Sequence, residues 1–192
     1  KLGNEFDKLF NAQGLFPNIE EFSKMELNKE TQLFSDERLT IIERIKRFEL
    51  YRDALNGDIL DLQSDTIFDI AEAYWQRSNG KSDRESCMRL IQLVIDRGRD
   101  QKIGNDVALG YEILGEKQSA IGKFSEAEKS FKEALKSQRK FGNDNTVAVM
   151  LNKLATCIID NQDPELSKAD DWLSEAEKIW LKLGYKKFYE KL

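Results

Sequence analysis

The sequence predicts an all-α fold of antiparallel helix hairpins stacked one on the next. Three observations carry this. Apolar residues recur three and four positions apart, the period of one helix face, along most of the chain. Proline occurs only at Pro17 and Pro164 of 192 residues, so long helices run unbroken. The apolar stripes also come back at a fixed interval, Ala127-Phe131-Ala134 being repeated 42 residues later as Ala169-Leu173-Ala176.

The clearest element is "GKFSEAEKSFKEALKSQRKFG", Gly122 to Gly142. Phe124, Ala127, Phe131, Ala134 and Leu135 form one helical stripe. Ser125 is the expected N-cap, with Glu128 completing a capping box, and Gly142 is the expected stop. Upstream, "DVALGYEILGEKQSAIG" carries a second stripe: Leu109, Ile113 or Leu114, Gln118 and Ile121. Gly115 on the first helix and Ala127 on the second are small, so the two axes can approach closely. The pair therefore reads as a hairpin with Gly122-Lys123 at its turn.

Two further hairpins follow the same pattern. "AVMLNKLATCIIDNQ" offers Leu151, Leu154, Ala155 and Ile158, and "SKADDWLSEAEKIW" offers Ala169, Leu173, Ala176 and Trp180. Before the central pair, "TIFDIAEAYWQRS" gives Ile67, Ile70, Ala71 and Tyr74, and "SCMRLIQLVID" gives Cys87, Ile91 and Val94. A period near 42 means stacked hairpins, each burying the face its neighbour leaves open.

The flanks are helical too. "SDERLTIIERIKRFELYRDALNG" is expected to start at an N-cap on Ser35 and to end at Asn56-Gly57, with Ile41, Ile45, Phe48 and Leu55 as its stripe. "DILDLQ" links it to the first hairpin. "NEFDKLFNAQ" is a short helix before a break at Gly14 to Pro17. Phe6, Leu9, Phe10, Leu15, Phe16, Ile19 and Phe22 are expected to dock on the stack or on a partner. Tyr185, Phe188, Tyr189 and Leu192 read as the start of one more helix. Residues 1–63 are thus an N-terminal cap or degenerate repeat, and residues 64–192 hold three hairpins and the start of a C-terminal helix.

Composition narrows the function. Apolar residues make 40% and charged residues 34%, the balance of a globular helical protein. A net charge of −5 gives no basic surface for phosphates, so no nucleic acid is expected. No apolar run is long enough to span a bilayer, and no signal peptide is expected. An intracellular, cytoplasmic protein is expected. A chain opening on Lys1 reads as a fragment or processed form, which leaves an organelle or an anchored location open. Histidine is absent, which removes the commonest general base and zinc ligand. Cys87 and Cys157, 70 residues apart in apolar settings, read as free buried thiols. No phosphate-binding loop or nucleophile elbow occurs, and the acidic pairs Glu20/Glu21 and Asp170/Asp171 read as solvated. Neither catalysis, a cofactor nor a metal is expected.

The segment Tyr111 to Leu135 resembles a tetratricopeptide repeat. Tyr111, Leu114-Gly115, Gly122, Phe124, Ala127, Phe131 and Ala134 stand at its motif positions. Leu151, Leu154-Ala155, Ile158, Ala169, Leu173 and Ala176 form a second match, with a longer internal loop at "NQDPELSKAD". Ile67 to Val94 is a third, with Cys87 in place of the usual alanine. Gln118 replaces the usual aromatic, and no proline closes the second helices. The period is similar to the long variety in kinesin light chains and bacterial regulators. The resemblance covers about 64–183.

What the resemblance implies is a right-handed α-solenoid whose first helices line a concave groove. Its groove positions fall on Asp65, Phe68, Asp69, Glu72 and Trp75, on Leu109, Glu112, Glu116 and Ser119, and on Val149, Asn152, Lys153 and Thr156. The basic clamp that chaperone-binding members use for a terminal carboxylate would need cations there, and mostly acids stand there instead. The implied function is a non-catalytic scaffold for protein–protein interaction. Phe68, Asp69, Glu72, Trp75, Glu112, Glu116, Asn152 and Thr156 would hold a basic or amphipathic segment of a partner. The competing readings are a solvated acidic face and, for Trp75, core packing. A peptide-gated regulatory receptor, or the recognition arm of a multidomain enzyme, is the alternative function. Partner identity and oligomeric state stay open.

Overall fold

The computed structural model describes residues 40–54, 59, 62–78, 80–161 and 166–185; of these, residues 50, 51, 53, 54 and 166 are described in backbone only. The expected caps at Ser35 and Asn56-Gly57, the stripe residue Leu55, the helix and apolar segment from Phe6 to Phe22, and Phe188 to Leu192 lie outside them.

Among the described residues there are seven helices and no strand: α1 (Ile41–Ala54), α2 (Ser64–Arg77), α3 (Lys81–Asp100), α4 (Gly104–Ala120), α5 (Phe124–Phe141), α6 (Asp144–Asp160) and α7 (Leu166–Lys182). The fold class is all-α, as the periodicity predicts. None of the described helices is long and apolar enough to cross a membrane. The chain divides into two compact units, one ending at Leu90 and one beginning at Ile91, within α3.

In the first unit, α1 opens on a capping box. The Thr40 hydroxyl accepts from the Glu43 N–H at 3.2 Å, and the Thr40 N–H donates to Glu43 Oε2 at 2.8 Å. Hydrogen bonds from Thr40 hold the Glu43 carboxyl below the usual carboxylate range. Ile45 and Phe48, both from the predicted stripe, are buried. Phe48 meets Tyr74 of α2 edge to face, with centroids 6.3 Å apart. The Tyr74 hydroxyl donates to Glu49 Oε1 at 3.1 Å. Burial, the nearby Glu49 charge and this bond push its pKa well up. Arg77 lies over the Tyr74 ring and forks onto the buried Asp83 of α3 at 2.8 and 2.6 Å. That pairing gives a buried carboxylate a charged partner. Ile67, Ile70, Ala71 and Cys87 are buried, in line with the sequence pattern.

The second unit contains the predicted central hairpin. α4 ends at Ala120 and α5 begins at Phe124, so the chain reverses within three residues. Gly122 sits at the turn with φ +75°, a conformation that favours glycine. Gly115 faces Phe131, and Ala127 and Ala134 are fully buried. Burying a side chain the size of Phe131 stabilises by about 1.5–3 kcal/mol. The polar Gln118 accepts the Ser130 hydroxyl at 2.7 Å.

One local expectation fails here. Ser125 does not cap α5. The helix starts at Phe124, Lys123 is the N-cap residue, and no side chain caps it. The Ala127 N–H bonds the Lys123 carbonyl at 2.9 Å, so the first turn closes two residues before Ser125 could cap it. A side-chain cap that the pattern did not flag begins α6. Asn143 Oδ1 accepts from the Thr146 N–H at 3.0 Å, and the Thr146 hydroxyl accepts from the Asn143 N–H at 3.1 Å. Gly142 does end α5, as expected.

α6 packs on α5 and on α7. Met150, Leu151, Leu154 and Cys157 join Ala127, Phe131 and Ala134 in one cluster that extends to Ala176. Ala155, Ile158 and Ala169 form a smaller one. The start of α6 meets the end of α7, because Trp180 Nε1–H donates to Asn145 Oδ1 at 3.3 Å and Lys182 pairs with Asp144 at 2.9 Å. The two helices are therefore antiparallel.

Candidate functional site

α4 and α6 carry the polar side chains of an open cleft of about 640 Å³, lined by Glu116, Ser119, Ala120, Phe124, Phe131, Lys153, Thr156, Cys157 and Asp160. Helical spacing explains the lining. Glu116, Ser119 and Ala120 lie three and four apart on α4, and Lys153, Thr156, Cys157 and Asp160 do so on α6. Phe131 and Cys157 are buried and form the floor with the half-buried Phe124, and the exposed Ala120 lies at its edge. Glu116, Thr156 and Asp160 are exposed and form the rim.

The floor is held by an unusual bond. The Cys157 thiol donates to the Phe124 carbonyl at 3.4 Å, tying α6 to the first turn of α5. Burial, with the Glu128 and Asp160 charges, pushes the thiol up to about 11. Cys157 is thus a protonated, weakly polar floor residue at neutral pH. Both cysteines are free and buried, as the sequence indicates.

The lining also holds a half-buried cation. Lys153 of α6 reaches α4, where its ammonium bonds Glu112 Oε1 at 2.5 Å and Glu116 as well. Burial alone would lower the lysine's pKa. The hydrogen bonds and charges of the two glutamates outweigh that and hold it above its ordinary value.

The groove positions taken from sequence are partly brought together. Glu116, Ser119, Lys153 and Thr156 all line the cleft, and Glu112 is joined to it through Lys153. Asn152 and Leu109 are exposed outside the lining, and Val149 packs against the core. The acidic wall expected at Glu112 and Glu116 is already bridged by an ammonium. The resemblance implies groove positions for all three residues but does not pair them across two helices. Ala120, Phe124, Phe131, Cys157 and Asp160 were assigned to packing or left aside. Asp160 was within reach of the same reasoning, since it lies four residues after Thr156 on one face.

In the first unit, Asp69 and Glu72 line a smaller cavity of about 210 Å³ with Arg44, Ile41, Ala73 and Gln76. Gln76 donates to Glu72 at 3.0 Å. Phe68 is buried, which corrects its expected place as an exposed anchor: its ring faces the core of this unit. Trp75 is half-buried and Asp65 exposed.

Among the described residues, no group of three or more acidic or cysteine side chains is arranged to hold a metal ion. No protein-family model matches the chain, and comparison with curated proteins and with solved structures finds no match.

Proposed function

We propose that the chain is a non-catalytic protein–protein interaction module that holds a segment of a partner in the cleft between α4 and α6. The observation that carries this reading is the cleft itself. Its floor is apolar, its rim mixes carboxylates, hydroxyls and one ammonium, and its size suits a few side chains of an extended or helical segment. The free buried thiols fit a reducing, intracellular setting.

The repeat reading of the second unit belongs to the same proposal. Side chains about one sequence period apart meet in pairs. Lys153 bonds Glu112, 41 residues away, and Arg139 bonds Glu175, 36 residues away. The Lys132 ammonium lies 5.7 Å from the centre of the Trp172 ring, which sits 40 residues on. Such pairs support a right-handed tetratricopeptide-like stack in which α4 and α6 are successive first helices.

The test uses the intact chain as bait, with the partner identified by mass spectrometry. Thr156→Trp then fills the cleft without adding charge at an exposed position. The reading predicts at least a tenfold loss of affinity for that partner with little change in Tm. Binding equal to wild type would place the partner elsewhere and overturn the reading.

A further inference from the structure

The cleft is built as though a positive side chain belongs in it, and the chain supplies one itself. Glu112 and Glu116 stand one turn apart on α4, and Lys153 reaches across from α6 to bond both. Asp160 adds a second carboxylate at the rim, beside Glu116. Glu128, which lies near Cys157, is already paired with Lys132. Three carboxylates against one ammonium leave an excess of negative charge around an apolar floor.

We propose that the cleft takes a partner segment carrying an aliphatic or aromatic side chain with a lysine or arginine three or four positions away, and that Lys153 holds the place of that cation until the partner enters. This rests on the protein-binding reading above and names the partner's chemistry. The apolar side chain would lie on Ala120, Phe124 and Phe131. The partner's cation would meet Glu116 and Asp160, with Lys153 releasing Glu116 and staying on Glu112.

Two features make the exchange feasible. Lys153 keeps 26% of its side chain exposed, and its four-carbon stem rotates freely, so its amine can leave without disturbing the core. Glu116 is 45% exposed, and ion pairs at such a site contribute little net free energy, so exchanging the ammonium on it is nearly neutral and the apolar contact drives the exchange. An acidic segment would instead face Glu116 and Asp160 with Lys153 alone to meet it. Charge complementarity thus selects a basic occupant.

Random twelve-residue peptides displayed on phage, selected on the full chain, are the probe. The proposal expects enriched peptides to pair lysine or arginine with an apolar residue three or four positions away. Lys153→Gln should bind them about three- to tenfold more tightly, with a steeper salt dependence, because the carboxylates lose their internal competitor. Glu116→Gln should weaken them by a similar factor, and Thr156→Trp should abolish binding. Enrichment of acidic or uncharged peptides, or unchanged or weaker binding to Lys153→Gln, overturns this inference while loss in Thr156→Trp keeps the protein-binding reading. Peptides indifferent to Thr156→Trp, or no enrichment at all, overturn both.

Discussion

Gly115 lies against one edge of the Phe131 ring: a β-carbon on Gly115 would fall 2.6 Å from Cε1 and 2.7 Å from Cδ1. The missing side chain sets how closely α4 and α5 approach. Gly115→Ala would ordinarily favour a helix by about 1 kcal/mol. Here the clash with a buried aromatic dominates, and overpacking costs about 1–3 kcal/mol. The urea midpoint should fall for Gly115→Ala and fall further for Ala127→Leu. A raised midpoint in either would contradict this interface.

Arg77 and Asp83 close the turn between α2 and α3 with a bidentate pair whose carboxylate is 4% exposed. Arg77→Leu removes the bidentate cation from a buried carboxylate. We expect a loss of about 2 kcal/mol, below the range for fully buried pairs because the arginine is 30% exposed. The double variant Arg77→Leu/Asp83→Leu should recover part of that loss, which a double-mutant cycle of urea midpoints would measure.

The Cys157 thiol should react slowly. With its pKa near 11, little thiolate exists at neutral pH, and the sulfur is buried under Phe124. Labelling by a chromogenic disulfide reagent should be slow for both cysteines at pH 7 in the folded chain and fast in urea. Rapid native labelling of Cys157 would mean that the cleft floor opens.

Lys153 has a pKa raised in the folded state above its ordinary value of 10.5. Its pairing with Glu112 and Glu116 therefore stabilises fully below pH 10.5 and is lost as pH rises through the higher folded value. The difference in urea midpoint between wild type and Lys153→Gln should be constant from pH 7 to about 10 and shrink above it. A difference that grows with alkalinity would contradict the assignment.

The all-α fold was legible because it rests on apolar spacing. Ala127, Phe131, Ala134, Leu151, Leu154 and Ala176 are buried where their stripes placed them. The turn at Gly122 was legible from one glycine. Caps were harder, since Ser125 and Lys123 differ only in where the first turn closes, and a pattern cannot fix that to a residue. In the cleft, Glu116, Ser119, Lys153 and Thr156 stood out only through the repeat resemblance, since periodicity on single helices picks out the apolar stripes. It could not show that Lys153 crosses to α4, because that depends on the distance between two helices. Nor could it separate Phe124 and Phe131 as pure core from Phe124 and Phe131 as core with one face open to a cleft. Phe68 was misplaced for the same reason: a groove position and a core position differ by a small rotation of the helix.

The most direct measurement is an amide NMR titration of the full chain with a peptide selected on it. The account predicts shift changes concentrated at Glu116, Ser119 and Ala120 of α4 and at Lys153, Thr156 and Asp160 of α6, saturating together. Changes confined to the first unit around Trp75, or spread along the exposed faces of α5 and α7 with the cleft unmoved, would contradict it.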